Sequence, residues 1–358
     1  MLSTGLAHER MNGETSLSPD GGPSTSIGPR QLVQELKTFN RPQSRRSFVE
    51  LTITLVPFLL ICRLMLIMVG AGHLLALALA VPAGLFLLRL FLMQHDCGHG
   101  SFFPGRAAND WTGRALGVLT FTPYDCWRRS HALHHAGTGN LDARGFGDVD
   151  TLTVREFQAR GFWGKLAYRA YRHPFVLLGV GPAYLFLLRH RLPIGLMRAG
   201  RIYWVSALAT NAVTALLLVA LASIFGWMTV VMTLLPVLLV AATTGVWLFY
   251  IQHQFEHAHW DAGSAWSFHE AALHGCSHLH LPPLMRWFTA NIGIHHVHHL
   301  ASRIPFYRLP EVLAAYPHLK DFNCFSASDT WPTFRLVLWD EDQRRLVPFR
   351  DAAKRSKR

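Results

Sequence analysis

Long apolar runs, broken by short polar stretches, dominate the middle of the chain. Four of these runs have about the 20 residues that a helix needs to cross the hydrocarbon core of a bilayer. They cover approximately residues 51–69, 74–93, 202–224 and 227–251. Residues 70–73 connect the first pair, and residues 225–227 connect the second pair. The pattern predicts two membrane-spanning helical hairpins.

Two arginines interrupt the first hairpin. Arg89 lies near the end of the second run, and a long arginine side chain near a helix end can extend its guanidinium to the lipid headgroups. We therefore expect Arg89 to reach the membrane surface, whereas Arg63 lies too deep for this explanation.

A fifth apolar stretch, residues 175–188, is shorter than the other four and contains Gly179, Gly181 and Pro182. Basic side chains flank it on both sides, at Arg160, Lys165, Arg169, Arg172, Arg189, Arg191, Arg198 and Arg201. Positive charge marks the cytoplasmic side of a membrane protein. Both flanks are therefore predicted to be inside, and the stretch is predicted to lie in the interface or to re-enter rather than to cross.

The same charge rule orients the rest of the chain. The connections at 70–73 and 225–227 contain no lysine or arginine. Basic residues instead precede the first run and follow the second, at Arg41, Arg45, Arg46, Arg106, Arg114, Arg128 and Arg129. Both hairpins should therefore point their tips outward, which puts both termini on the cytoplasmic side.

Composition agrees with an integral membrane protein. The 358 residues are 50% hydrophobic and only 16% charged, which is a low charge content for a soluble protein. The net charge of +12 comes from the inside bias and from the basic residues at 354–358, and we interpret it as attraction to anionic headgroups. Nucleic-acid binding is disfavoured because we recognise no module for it. The five cysteines have no paired spacing, so a disulfide framework is not expected.

Histidines form three clusters at the ends of apolar stretches, and the chain has 21 in all. The first cluster is H-x-x-x-H at residues 95–99, and the other two contain H-x-x-H-H, at residues 131–135 and 295–299. On a helix these offsets put side chains on one face. Eight converging imidazoles exceed the roughly four ligands of a closed metal site. The clusters therefore predict two metal ions close together. The isolated histidines have no such pattern, and packing or solvation explains them: His8, His73, His173, His190 and His318.

The two ends of the chain differ from the apolar middle. Residues 1–30 are rich in Ser, Gly, Pro and Thr and lack periodicity, so we expect them to be disordered. We place one membrane domain at residues 31–325 and a basic C-terminal tail at residues 326–358.

The histidine clusters and their neighbours resemble the integral-membrane fatty acid desaturases, in particular the acyl-lipid branch that includes the Δ12 (omega-6) enzymes. The matching segments are H-D-C-G-H at 95–99, R-S-H-A-L-H-H at 129–135, Q-H-Q-F-E at 252–256 and N-I-G-I-H-H-V-H-H at 291–299. Weaker matches lie at residues 147–151 and 303–305. The resemblance extends from the first apolar run to about Pro310.

The resemblance implies an all-α fold: a four-helix transmembrane bundle with a cytosolic helical cap that holds a histidine-ligated di-iron centre. It also implies a further histidine ligand outside the three clusters. His253, at the end of the fourth run, is the best candidate, and His257 is the alternative. His296 falls outside the H-x-x-H-H register and should point away. The implied ligands are His95, His99, His131, His134, His135, His253, His295, His298 and His299.

Carboxylates near a metal can fix the tautomers of its histidine ligands. The candidates are Asp96, Glu256, Asp148 and Asp150, and Asn291 could orient a water on the metal. Ordinary helix capping or solvation explains these residues about as well. The sequence assigns no role to His278 or His280.

The resemblance implies an oxygen-dependent desaturase that uses two iron ions and O2 and forms a cis double bond in a lipid-linked acyl chain, near the Δ12 position. The chemistry agrees, because removing hydrogen from an unactivated methylene group needs an oxidant that no amino-acid side chain supplies. We recognise no haem motif of a fused cytochrome b5, so a separate electron donor is expected, either a ferredoxin or a cytochrome b5-like protein with its reductase. The expected location is the inner membrane of a bacterium.

Two alternatives stay open. A hydroxylase or ketolase that acts on an alkane, an acyl chain or a carotenoid would use the same histidines. A membrane metal-binding or transport protein is the non-enzymatic alternative, but a translocation path would need polar residues along the spans, whereas the histidines gather at their ends.

Overall fold

The computed structural model describes residues 29–145 and 149–355, and these are largely helical. In chain order the α-helices are α1 (Pro29–Leu36), α2 (Ser44–Gly70), α3 (Ala80–His99), α4 (Arg106–Leu119), α5 (Tyr124–Gly137), α6 (Val154–Ala159), α7 (Phe162–Tyr171), α8 (Gly181–Leu187), α9 (Arg201–Phe225), α10 (Trp227–His253), α11 (Phe268–His274), α12 (Pro283–Phe288), α13 (His295–Leu300), α14 (Leu309–Ala315), α15 (Thr330–Thr333) and α16 (Phe349–Arg355).

Short elements connect these helices. The strands are β1 (Leu152–Thr153), β2 (His278–His280), β3 (Cys324–Ser326), β4 (Leu338–Asp340) and β5 (Arg345–Val347). The 3-10 turns are Lys37–Phe39, Leu74–Leu79, Arg189–Arg191, Gly263–Ala265, Phe306–Arg308, Pro317–Asp321 and Ala327–Asp329, and Val176–Val180 is a π-helical turn. β4 pairs with β1 in parallel and with β5 antiparallel, and β2 pairs with β3 in parallel. Because the strands have only two or three residues each, the prediction of an essentially α-helical fold is confirmed.

Among the described residues, four helical segments are long and apolar enough to cross a membrane: Ser44–Gly70, Leu74–His99, Arg201–Phe225 and Trp227–His253. At a rise of 1.5 Å per residue, 25 to 27 residues span about 38–40 Å, more than the roughly 30 Å of a hydrocarbon core. The prediction of four spans in two hairpins is confirmed in number and position.

The bundle is held together mainly by α3, which packs against α10, α2 and α4. A glycine allows the closest of these approaches. A Cβ atom at Gly84 in α3 would lie 2.6 Å from the side chain of Val240 in α10. Small residues at helix interfaces let backbones pack closely inside a membrane. The contact fixes the position of α3 relative to α10, and the C-terminal end of each helix carries candidate metal ligands.

The fifth apolar stretch, residues 175–188, forms the π-helical turn and the seven-residue helix α8. It packs against α10, where the hydroxyl of Thr243 donates to the carbonyl of Leu178 at 2.9 Å. It is not among the four candidate spans of the described chain, and its depth in the membrane stays a prediction.

The remaining elements cover one end of the bundle, where the histidine clusters lie. Residues after 325 belong to this cap: Leu338, Trp339, Leu346 and Val347 are buried, and β4 pairs with β1. The division of the chain at residue 325 stays a prediction about domains, but much of the segment that we expected to be a tail is packed. Residues 1–28 lie outside the described residues, and α1 begins at Pro29.

The prediction that Arg89 reaches the headgroups is wrong. Its side chain is 1% exposed, and Nη2 lies 2.6 Å from Oε2 of Glu50 in α2. Its Nε donates to the hydroxyl of Thr54 at 3.2 Å, its Nη1 donates to the carbonyl of Trp287, and the guanidinium lies 4.0 Å from the centre of the Trp287 ring. The cap covers this end of α3, so the charge is neutralised within the protein. Arg63, in contrast, is exposed on α2.

We expect Glu50→Ala to destabilise the protein by about 3–5 kcal/mol, because it leaves the buried Arg89 cation without its carboxylate. Arg46→Ala is the matched control. Arg46 contacts the same carboxylate at 2.6 Å, but its side chain is 55% exposed, so its loss should cost about 0–1 kcal/mol. Denaturant unfolding of the purified variants in detergent measures both values. If both variants lost the same free energy of unfolding, burial of the Arg89–Glu50 pair would not explain its contribution to stability.

Candidate metal centre

Nine histidines gather in two adjacent groups where the long helices meet the cap. The first group, group A, contains His95, His99, His131, His135 and His298. The second group, group B, contains His134, His253, His295 and His299. Within each group the candidate ligand atoms all lie within 4.8 Å of one another. These nine residues are the nine that the sequence suggested as ligands.

Helical spacing explains how two clusters serve two groups. In α5, His131 and His135 are four residues apart and enter group A, while His134 enters group B. In α13 the arrangement is reversed, because His295 and His299 enter group B while His298 enters group A. Neighbouring residues on a helix are about 100° apart, so adjacent histidines diverge while residues four apart converge. Each H-x-x-H-H segment therefore contributes to both groups.

Distances within the groups fit the ligand shell of a metal ion. In group A, Nε2 of His131 lies 3.0 Å from Nε2 of His99 and 3.0 Å from Nε2 of His135, and Nε2 of His298 lies 3.2 Å from that of His135. In group B the Nε2 atoms of His295 and His253 are 3.0 Å apart. Metal–nitrogen bonds of about 2.0–2.1 Å separate neighbouring ligand nitrogens by about 3 Å.

Burial leaves several ring nitrogens without a protein partner. Among the described residues, both ring nitrogens of His299 and Nδ1 of His295 are buried and have no hydrogen-bond partner. Leaving such an atom unsatisfied costs about 1–3 kcal/mol, and a bound metal would offset this cost for one ring nitrogen of His299. The nine residues therefore fit a metal centre.

The histidines of α5 and α13 are held in the form that binds metals. Burial lowers the pKa of His131, His135, His295, His298 and His299 well below the usual histidine value, and the neighbouring histidines lower it further. A neutral imidazole keeps a lone pair for a metal. These five rings are consequently neutral and able to act as ligands at physiological pH.

His253 and His257 are separated by the end of α10. The helix ends at His253, which is buried in group B. The chain then turns, and His257 is exposed and outside both groups. His296 is also outside them: it lies 2.8 Å from the carbonyl of Leu319 through Nε2, and burial lowers its pKa to about 3. The H-x-x-H-H spacing predicts that His296 points away from the other histidines of its cluster.

Asp96 and Asn291 both bind the backbone of one residue in the cap, Phe306. Oδ1 of Asp96 lies 3.3 Å from Nδ1 of His95, and Oδ2 accepts the backbone N–H of Phe306 at 2.8 Å. The side-chain amide of Asn291 donates to the carbonyl of Phe306 at 3.0 Å. Asp96 therefore lies where a tautomer-fixing carboxylate is expected, whereas the Asn291 amide nitrogen binds the cap rather than pointing at a ligand of the metal.

Glu256 does not lie at the histidines, and this part of the sequence interpretation needs correction. Its Oε1 is 2.5 Å from Nη1 of Arg345 at the protein surface, because the turn after His253 points its side chain outward. Asp150 is exposed and contributes backbone atoms to Tyr168 and Arg172. Asp148 lies outside the described residues.

Comparison with known proteins agrees with this arrangement. The model of the fatty acid desaturase family matches residues 35–323. The chain belongs to the fatty acid desaturase family. It is therefore related to oxidoreductases of lipid metabolism, and its four apolar helices agree with a membrane protein.

Three relatives show the range of similarity within the family. A fatty acid desaturase of Bacillus subtilis (strain 168) is 39% identical over 322 residues, which cover 90% of this chain and 91% of that protein. An sn-1 acyl-lipid omega-3 desaturase (ferredoxin) of Synechocystis sp. is 29% identical over 268 residues, 70% of each chain. An sn-1 oleoyl-lipid 12-desaturase of Synechocystis sp. is 29% identical over 245 residues, 63% of this chain and 64% of that protein.

Two aromatic residues of this desaturase support the histidines and were not singled out in the sequence. Trp127 stacks on His131 with ring centres 4.5 Å apart and planes 17° apart. Phe249 lies 5.0 Å from His134 and 5.5 Å from His253. Each aromatic residue precedes a histidine of its own helix by four positions, so one helical turn separates them. That spacing in the sequence could have indicated a contact between each aromatic residue and its histidine. The aromatic rings restrict the rotation of the histidine side chains that they contact.

We expect His134→Ala or His298→Ala to reduce activity by more than about 100-fold, since even partners of metal ligands are worth about 10–100-fold. Membrane insertion should persist, because the apolar helices that drive it are unchanged. His296→Ala is the control. It removes a buried hydrogen bond but no member of either group, so activity per folded molecule should stay near that of the wild type. Product formation normalised to folded protein is the measurement, and an equal loss in His296→Ala would contradict the grouping.

Proposed function

We propose that this desaturase inserts a cis double bond into the acyl chain of a membrane lipid in an oxygen-dependent reaction, with two iron ions held by groups A and B. The observation that carries the proposal is the pair of adjacent histidine groups at one end of the four apolar helices. One group would accommodate one metal ion, and two groups that share α5 and α13 would keep two ions close together.

The identity of the metal follows from the chemistry required. Neutral imidazoles suit zinc, copper, iron and nickel alike. Desaturation removes two hydrogen atoms from unactivated carbons, and it consumes O2, two electrons and two protons while it releases two water molecules. When bound, a pair of iron ions supplies the oxygen-derived oxidant that side chains lack. Zinc has no redox chemistry, and this favours iron.

The protein contributes position and a dry environment. The nine histidines come from α3, α5, α10 and α13, so packing of the bundle fixes their relative positions. Trp127 stacks on the ring of His131, and Phe249 contacts His134 at a tilt and His253 edge to face. The hydrogen bond from Phe306 to Asp96 holds the cap against α3, and the bond from Asn291 to Phe306 joins two segments of the cap. An oxidative site requires that water be excluded, and a cap held in this way would serve that purpose.

The site lies at the end of apolar helices, so an acyl chain can reach it from the membrane without a soluble carrier. Reaction near the Δ12 position is supported by the relative described as an sn-1 oleoyl-lipid 12-desaturase and by the segments at 252–256 and 291–299. Electrons would come from a separate donor. A ferredoxin is favoured because one relative is described as an acyl-lipid omega-3 desaturase (ferredoxin), and a cytochrome b5-like protein with its reductase is the second candidate.

Hydroxylation or ketolation of an acyl chain, an alkane or a carotenoid is the alternative outcome at the same histidines. Both chemistries start with removal of hydrogen, and they differ in whether a second hydrogen or an oxygen atom follows. The nature of the product distinguishes them.

Expression in a bacterial host together with a ferredoxin and its reductase should give a new unsaturated fatty acid in membrane lipids, detected by gas chromatography. No product should appear without oxygen or in the His298→Ala variant. The purified wild-type protein should contain about two iron atoms per chain, which is the sum of one ion per histidine group.

A hydroxy acid, an alcohol or an oxidised carotenoid in place of the unsaturated acid would favour the alternative. A protein that takes up no iron at groups A and B, and that gains no activity on loading with iron, would contradict the di-iron proposal.

We also propose that both termini and the histidine groups face the cytoplasm of a bacterial inner membrane, because basic residues flank this end of the spans and not the hairpin tips. Tags inserted at Gly72 and Gly226 should be accessible from outside. There is open space at both glycines, but their φ values of +86° and +80° favour glycine, so each tag should be inserted beside the glycine rather than in its place. Tags near His173 and Arg198 should be accessible from inside only. An outside tag at Arg198 would mean that residues 175–188 cross the membrane.

A further inference from the structure

A third cluster of potential metal ligands lies in the cap, where β2 and β3 pair in parallel. His278 is opposite Cys324 in this register, and His280 is opposite Ser326. Side chains two residues apart on a strand share a face, and opposite residues of paired strands do so as well. The register therefore brings His278, His280 and Cys324 to one face of the two-stranded sheet.

The ligand atoms of these residues are close together. Sγ of Cys324 lies 3.3 Å from Nε2 of His280 and 3.5 Å from Nδ1 of His278. The carbonyl oxygen of Lys320 lies 2.9 Å from the same Nδ1 and also contacts Sγ. Two imidazole nitrogens, one thiol sulfur and one carbonyl oxygen thus surround a single point.

The spacing corresponds to a tetrahedral zinc site. Zinc–sulfur bonds of about 2.3 Å and zinc–nitrogen bonds of about 2.0–2.1 Å give a sulfur–nitrogen separation of about 3.5 Å at tetrahedral angles. The two sulfur–nitrogen distances here are 3.3 and 3.5 Å. A thiolate with two imidazoles and no carboxylate favours Zn2+ over hard ions such as Mg2+ or Ca2+.

We propose that His278, His280 and Cys324 bind one Zn2+ ion at a site separate from the nine histidines. The fourth ligand is the carbonyl of Lys320 or a water from the adjacent cavity of about 280 Å³, which His278, His280 and Lys320 help to line. Binding releases the thiol proton of Cys324, and His278 then carries its ring proton on Nε2. None of the three side chains belongs to group A or group B.

The position of the site gives the zinc ion a structural role. The residue before His278, Ser277, accepts the backbone N–H of His295 at 3.2 Å, and Leu279 donates to Gly293 at 2.9 Å. An ion that joins β2 to β3 therefore anchors the segment on which α13 begins. It would hold the third histidine cluster in place without contact with the reacting atoms.

Cobalt substitution tests the proposal, because Co2+ bound to a thiolate has a sulfur-to-metal charge-transfer absorption that histidine-only groups lack. The full-length protein loaded with Co2+ should show this band, and added Zn2+ should abolish it. Cys324→Ser should lose the band, and His280→Ala should lose or weaken it. Both side chains are exposed, so these variants should fold. Cys126→Ser is the control and should keep the band, since Cys126 is outside the cluster.

Absence of the band in the wild-type protein would overturn the proposal. Persistence of the band in Cys324→Ser would also overturn the proposal. That result would point instead to Cys276 as the thiolate ligand, since its Sγ lies 3.8 Å from Nδ1 of His253. A second measurement is independent of cobalt: Zn2+ should protect Cys324 from alkylation by a maleimide, and a chelator should restore labelling. Neither measurement depends on desaturase activity, so their failure would leave the proposed function untouched.

Discussion

The structure depends on the close packing of nine imidazole rings at the junction between four apolar helices and their cap, where seven of the histidines are buried and His99 and His131 are partly buried. Imidazoles that are packed together away from water must be neutral, because several like charges within a few ångströms would repel one another and lose their hydration. Neutral rings in turn leave nitrogen lone pairs that need partners. The packing of the bundle and the cap brings the nine rings together but leaves some of their nitrogens without a protein partner, which a bound metal would use.

Much of this arrangement could be predicted from local patterns. Continuous apolar runs locate α2, α3, α9 and α10 because a bilayer-spanning helix needs length and hydrophobicity and little else. Spacing of three and four residues identifies the histidines of α3, α5 and α13, since helical geometry alone brings them to one face. The further ligand is implied by the family resemblance, and His253 is preferred to His257 because the end of an apolar run fixes its position relative to the membrane.

The features that were missed depend on partners far away in the chain. Arg89 resembles a residue that extends to the headgroups until Glu50 and Trp287 are seen to enclose it. Glu256 resembles a partner of the metal ligands until Arg345, 89 residues later, is seen to bind it. Strands β4 and β5 have three residues each, too few for a periodic pattern. In all three cases contacts with distant parts of the chain determine the structure, and a local sequence pattern contains no information about these contacts.

The division of each H-x-x-H-H segment between groups A and B couples the geometry of the two groups. His134 and His135 are consecutive, as are His298 and His299, yet the members of each pair enter different groups. A rotation of α5 or α13 therefore moves histidines of both groups at once, and an insertion of one residue within either segment would change the register of both. Rotations and insertions in these two helices cannot alter one group alone.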